Sequence, residues 1–388
     1  MTAVISEEIP SITDVHDLRG KRVFLSLGVD VPCKGDEVLD DFRLRAVLPT
    51  VQYLRREGAR TLIFGKRGSK KEETLSPVYH YFLKQFPLTF VDSIDDQKTA
   101  DALSHLEDGE MVLFENIRQY DGEITNDKEF AKKLARLADI YVNECFPVSH
   151  REEASIVGVP QFLPSYAGIR FMEEVRSLSR AFEPLHPFLF ILGGAKFETK
   201  IPLLKKFFKL ADHVFVGGAL QNDFFRLKGY EIGRSVVSEK TIDLGDMLHD
   251  PKLLLPIDVE IEHEDKTTAV VKPMHVAKED RIVDAGPASI KMLKKYIDKS
   301  KFIIWNGPLG YYEDGFEAQT KAFAELVNTS SAEVIIGGGD TLAAIAALGL
   351  GSRNSKLFLS TGGGAMLDFL ARETLPGIEA LVERYHYS

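Results

Sequence analysis

Cysteine is nearly absent from this chain. Cys33 and Cys145 are the only two in 388 residues, too few for a disulfide framework or a thiolate metal cage. No apolar run approaches the roughly 20 residues that a membrane span needs. The opening MTAVISEEIPSITD carries acids where a secretory leader has a basic and then an apolar stretch. An excess of positive charge is also missing: 48 basic residues face 58 acidic ones, a formal charge of −10, which argues against a nucleic-acid backbone as partner. The expectation is a cytoplasmic protein acting on small molecules, with neither membrane nor nucleic acid as partner. Three glycine-loop signatures are lacking as well. Without GxxxxGK[ST] a Walker-type ATPase is disfavoured, and no GxGxxG follows a first strand to make a nicotinamide site. The H-R-D and D-F-G set of protein kinases is absent.

What is present is alternation. RVFLSL (22–27), TLIF (61–64), MVLF (111–114) and YVN (141–143) read as strands, while FRLRAVLPTVQYLRREG (42–58) and NDKEFAKKLARLA (126–138) have helical apolar spacing. After Pro184 and Pro187 the pattern restarts with FLFIL (188–192), HVFVG (213–217), KLLLP (252–256), FIIW (302–305), EVIIG (333–337) and KLFLS (356–360). Strands alternating with helices give parallel sheets covered on both faces. The fold class expected is therefore α/β, with two Rossmann-like domains. SYAGIRFMEEVRSLSRAF (165–182) reads as one long amphipathic helix with no strand of its own, and the junction is placed on it. The expected division is 1–164, an interdomain helix over 165–183, and 184–374, with the terminal helix 375–388 packing back on the first part.

Glycine clusters fall at strand ends in the second half: ILGGAKFETK (191–200), WNGPLGYYE (305–313), GGGDT (337–341) and STGGG (360–364). Ligands collect at the carboxyl ends of strands in open sheets, and glycines let a phosphate approach backbone N–H groups. Lys196 and Lys200 would lie one turn apart on one helix face behind Gly193-Gly194. Gly338, Gly339 and the Thr341 hydroxyl suit phosphate oxygens. Asp340 has two readings: a ligand for Mg²⁺ carried by a nucleotide, or a plain helix N-cap. Asn306, Gly307, Pro308, Leu309 and Gly310 form a tight turn. Glu313 beyond it is either a ribose acceptor or a surface acid.

These segments, in this order, resemble the phosphoglycerate kinase family over nearly the whole chain, from GKRVFLS (20–26) to LPGIEAL (375–381), with YEIGR (230–234) and LLLPIDV (253–259) also similar. The resemblance implies ATP or ADP with Mg²⁺ on the second domain, a 3-phosphoglycerate-type carboxylate on a basic patch of the first, domain closure, and a monomer. It implies that Lys196 follows the transferred phosphoryl group, Lys200 and Thr341 contact phosphates, Asp340 takes the metal and Glu313 the ribose. Gly194, Gly217, Gly218, Pro308 and Leu309 would line the adenine slot. On the acid side it implies roles for Asp30, Arg43, Arg118, His150 and Arg151, with Arg43 flanking the migrating group.

The first half departs from the family pattern. Arg-x-Asp-x-Asn on the first strand reads Ser26, Gly28 and Asp30. Gly65 and Gly68 stand for the histidine and arginine of the Ser-His-x-Gly-Arg loop, with Lys66 and Arg67 as the cations nearest to replace them. Glu153 stands for the second histidine of His-Arg-x-His. Three functions follow as candidates: phosphoglycerate kinase with a remodelled acid pocket, a related kinase for another carboxylate, and a non-catalytic nucleotide-binding protein.

Overall fold

The computed structural model describes residues 8–68, 71–95, 97–195, 197–239, 244–350 and 354–385. The chain divides into two compact units, Met1–Ser179 with Arg372–Ser388, and Arg180–Ala371. Among the described residues no helix is long and apolar enough to cross a membrane.

Unit 1 contains β1 (Arg22–Leu27), the short hairpin β2 (Cys33–Lys34) and β3 (Glu37–Val38), β4 (Arg60–Gly65), β5 (Thr89–Val91), β6 (Met111–Phe114), β7 (Ile140–Glu144) and β8 (Ser165–Ala167). Six of them form a parallel sheet in the order β5-β6-β4-β1-β7-β8. The central strands are apolar without alternation because both faces are covered. On one face Phe24, Phe64 and Phe114 stack ring on ring, with centroids 4.0 and 4.3 Å apart. On the other, Val23, Leu25, Ile63, Leu113 and Val142 meet Leu44, Val47, Val51 and Leu54 of the helix Phe42–Arg56 and Val78 and Phe82 of Ser76–Leu83. The helix Pro376–Tyr385 packs against the turn Ala154–Gly158 and β8.

The segment 165–182 is not one helix. Ser165–Ala167 pairs in parallel with Tyr141–Asn143 as β8, and the helix is Ile169–Ser179, only 11 residues. The reason lies in Glu144. Its carboxylate accepts from Arg170 N at 2.9 Å and Phe171 N at 3.0 Å, fixing the helix start from a neighbouring strand. A Cβ at Gly168 would stand 2.0 Å from that carboxylate, so glycine there lets the acid reach the helix end.

Unit 2 contains β9 (Phe188–Leu192), β10 (His213–Val216), β11 (Leu253–Leu254), β12 (Val259–Glu262), β13 (Thr268–Val271), β14 (Arg281–Ala285), β15 (Phe302–Asn306), β16 (Glu333–Gly337) and β17 (Leu357–Leu359). The main sheet is parallel, ordered β11-β10-β9-β15-β16-β17. Leu189, Ile191, Ile303, Trp305, Val334 and Ile336 pack on Leu293, Phe323 and Val327 of two covering helices. The apolar pattern did not reveal the separate antiparallel sheet β13-β12-β14. Its strands are four or five residues long, and β13 is only partly buried at alternate positions.

Candidate functional site

In unit 2 the glycine clusters meet at the carboxyl ends of β9, β15, β16 and β17. Gly193 N donates to Asn306 O and Gly194 N to Pro308 O, each at 2.8 Å, so two strand ends touch backbone to backbone. Gly307, at φ +95°, sits under this contact: a Cβ there would lie 2.2 Å from Gly193 O. No other residue type fits that approach without moving a strand.

Beside the junction opens a cavity of about 380 Å³, lined by Ala195, Lys200, Asn306, Gly307, Gly338, Gly339, Asp340, Thr341, Gly363, Gly364, Leu367 and Asp368. Lys200 is buried and donates to Gly193 O at 2.6 Å. Asn306 is 3% exposed, and its Nδ2 has no hydrogen-bond partner. A buried amide left unpaired at a cavity wall is a donor awaiting an acceptor. Thr341 is fully buried, and its Oγ1 accepts from Gly307 N at 2.8 Å, which leaves its hydroxyl proton available to donate. The cap of the helix Gly339–Ile345 is Gly338, with no side-chain cap bond, so Asp340 is not an N-cap. It is exposed in the first turn, with the Tyr312 hydroxyl 3.4 Å away. Burial first, and then the carboxylates of Asp340 and Glu313, push the Tyr312 phenol up to about 12. Glu313 is exposed in the 3-10 turn Tyr312–Asp314, also 3.4 Å from that phenol.

Gly217, Gly218, Pro308 and Leu309 are buried and meet Gly194 in the backbone junction. What opens next to them is a second cavity of about 470 Å³, lined by Ala195, Phe197, Ala219, Leu220, Asp223, Val236, Val237, Ser238 and Glu239. Ala195 lines both cavities. Lys196 lies outside the described residues. The apolar wall Phe197, Leu220, Val236 and Val237 escaped sequence reasoning, because those side chains are unremarkable until the fold gathers them.

In unit 1 the loops after β1, β4, β6 and β7 bring Asp30, Lys66–Gly68, Arg118 and Arg151 to the carboxyl edge of the sheet. Arg43 Nη1 donates to Asp30 O at 2.7 Å, and Asp30 Oδ1 accepts from Gly68 N at 3.0 Å. Arg118 is 6% exposed and donates from Nη1 to Gly68 O. Its Nη2 lies 3.5 Å from Glu153 Oε1, which Arg151 Nη1 also approaches at 3.4 Å. Lys66, only 1% exposed, pairs with Glu153 Oε2 at 3.1 Å and Glu123 Oε1 at 3.2 Å. His150 is half-buried beside Arg151 in sequence.

Comparison with known proteins decides the family. The phosphoglycerate kinase family model matches residues 12–373. The chain belongs to the phosphoglycerate kinase family. It is 37% identical to the phosphoglycerate kinase of Dictyoglomus turgidum, over 95% of this chain and 97% of that one. To the enzyme of Fervidobacterium nodosum it is 36% identical, over 96% and 98%. The solved phosphoglycerate kinase of Coxiella burnetii aligns at TM-score 0.82 and 33% identity, covering 97% of this chain and 99% of that one. That of Pyrococcus horikoshii aligns at 0.86 and 27%, covering 98% and 100%.

Of the two cations nearest the loop glycines, Lys66 is an interior ion-pair partner, and half-buried Arg67 donates from Nη1 to Thr74 O at 3.0 Å. A Cβ at Gly65 would meet Val29 Cγ2 at 2.5 Å and Leu75 Cδ1 at 2.8 Å, so apolar groups fill the space a larger side chain would need. Burial alone would raise the Glu153 carboxyl, but Lys66 and Arg118 outweigh it and hold that group below its ordinary value.

Proposed function

We propose that the chain transfers the γ-phosphoryl group of ATP to a carboxylate, forming an acyl phosphate, in the phosphoglycerate kinase reaction of glycolysis: 3-phosphoglycerate + ATP = 1,3-bisphosphoglycerate + ADP. The observation that carries it is the pair of cavities meeting at Ala195, one ringed by glycines, Lys200 and an unpaired Asn306 amide, the other apolar. The first suits a polyphosphate and the second a base.

In this reading Lys200 and the Asn306 amide hold phosphate oxygens, Lys196 follows the migrating group, and Glu313 accepts from the ribose. Asp340 would hold Mg²⁺. Among the described residues there is no group of three or more His, Cys, Asp or Glu that could cage a metal alone. One carboxylate completed by phosphates and water is the usual magnesium arrangement. Magnesium, when bound, neutralises charge on the phosphates. Arg43 serves the acceptor side, with Asp30, Arg118, His150 and Arg151 around the acid. A carboxylate nucleophile is already ionised at neutral pH, so no general base is required. Positioning and charge stabilisation suffice for in-line transfer. The protein is read as a cytoplasmic monomer.

A coupled assay with 3-phosphoglycerate and MgATP tests the proposal: NADH oxidation through a dehydrogenase that consumes the acyl phosphate is expected. No turnover with any carboxylic acid, alongside normal MgADP binding, would leave only a nucleotide-binding protein. A second reading, a kinase for another carboxylic acid, is favoured by Glu153 standing against Arg118 and Arg151.

A further inference from the structure

The carboxyl edge of the unit 1 sheet carries a charge cluster whose internal accounting is unusual. Three cations, Lys66, Arg118 and Arg151, meet two carboxylates, Glu123 and Glu153. Glu123 is held independently by Ser155, whose N and Oγ donate to it at 2.9 and 2.7 Å, and it lies 3.2 Å from Lys66. Lys66 therefore has a counter-ion without Glu153. What Glu153 adds is its second oxygen, which faces both guanidinium groups at 3.4 and 3.5 Å.

Guanidinium forks are the natural holders of a phosphate. Both terminal nitrogens of Arg118 are engaged from within, one by Gly68 O and one facing Glu153. A phosphate arriving here must displace a carboxylate that is 5% exposed, then remain beside it, and Coulomb repulsion is weakly screened at that depth. An acceptor whose far end is uncharged meets no such opposition.

We propose that Glu153 is a specificity-determining residue: as built-in counter-ion of Arg118 and Arg151, it weakens the hold of these guanidinium groups on the phosphate of the acceptor and so narrows the preference of the site for 3-phosphoglycerate over the same acid without its phosphate. This rests on the phosphotransfer reading above and concerns its acceptor. It assigns Glu153 no contact with the reacting atoms.

The test is calorimetric titration of the full chain with 3-phosphoglycerate and with D-glycerate, which differ in the phosphate alone. Parent, Glu153→Gln and the double variant Lys66→Met/Glu153→Gln are compared. The double variant removes a cation and a carboxylate together, so the cluster keeps the net charge of the parent, with Glu123 still on its Ser155 donors. Both variants are expected to bind 3-phosphoglycerate at least tenfold more tightly than the parent, with D-glycerate affinity changed less than threefold. Equal 3-phosphoglycerate affinity in all three proteins overturns the proposal, as does equal tightening for both acids, which would be a general charge effect. Turnover separates the two claims. Tighter 3-phosphoglycerate binding with no phosphotransfer to any acid sinks the kinase reading and leaves the role of Glu153 standing. Turnover whose KM for 3-phosphoglycerate ignores Glu153→Gln does the reverse.

Discussion

Gly307→Ala isolates the backbone junction of the nucleotide side. A Cβ at Gly307 would lie 2.2 Å from Gly193 O and 2.3 Å from Gly193 C, closer than any real contact, and the neighbour is backbone, not a mobile side chain. Two terms add. Holding a non-glycine residue in left-handed backbone costs about 1–3 kcal/mol, and overpacking costs typically ~1–3 kcal/mol. A loss of about 2–5 kcal/mol is expected in unit 2. The molecule supplies its own probe. Trp305 is the sole tryptophan, fully buried in unit 2, and its indole N–H donates to Gly307 O at 2.8 Å. Urea unfolding followed by tryptophan fluorescence should show a clearly lower midpoint, and the same samples should bind MgADP at least tenfold more weakly. Gly339→Ala is the control. It lines the same cavity, but its Cβ would meet nothing within 4 Å. Loss of unfolded-chain entropy should leave its stability unchanged or raised by about 0.4–1 kcal/mol, with a midpoint no lower than the parent's. An unchanged Gly307→Ala midpoint, or an equal fall in both variants, refutes the steric reasoning.

Three further expectations concern single groups. Glu144→Gln removes one of the carboxylate oxygens that accept from Arg170 N and Phe171 N and should destabilise unit 1 by about 1–3 kcal/mol in thermal unfolding, since a buried N–H loses its acceptor; a neutral result would mean the helix start does not depend on that acid. Burial raises the Asp284 carboxyl from 3.8 to about 7, against the opposing hydrogen bonds from Gln319 N and Ala285 N. The folded state thus binds the proton more tightly than the unfolded chain, so its stabilising contribution is complete below about pH 4 and is lost as pH rises through about 7. A shift of that size is worth a few kcal/mol at most, and Asp284→Asn should flatten the fall in the unit 2 urea midpoint between pH 5 and pH 8; an unaltered slope assigns it to other groups. Lys196→Ala should lower kcat at least a hundredfold with ATP affinity changed less than fivefold, because a cation in the proposed role, following the migrating phosphoryl group, acts mainly in the transition state; a parallel collapse of ATP binding in calorimetry contradicts that role.

What the sequence disclosed follows from the range over which each cause acts. The glycines at 193 and 307 were legible because a close backbone approach admits only glycine, and those at 194 and 338 because their positive φ favours it; either demand is written at the position itself. The parallel sheets were legible for a similar reason, since continuous runs such as FLFIL and FIIW announce burial on both faces. The helix start at Ile169 was not legible. Glu144, the acid that fixes it, lies on another strand and looks like any surface carboxylate until β7 and β8 pair. The antiparallel sheet β13-β12-β14 was not legible either, because its strands, four or five residues each, are too short for a periodic signal.

The acid pocket makes the point most sharply. Arg118 and Arg151 occupy the expected loops, yet residue identity alone could not say whether their charge faces solvent or an internal partner. That answer depends on Lys66, Glu123 and Glu153, which come from three separate segments and meet only in the fold. Composition records the cations without recording that they are already matched. A basic patch inferred from matching positions is therefore a statement about location, whereas affinity for an anion is set by the charge left over after pairing, and here Glu153 cancels one of the two cations that Glu123 leaves unmatched.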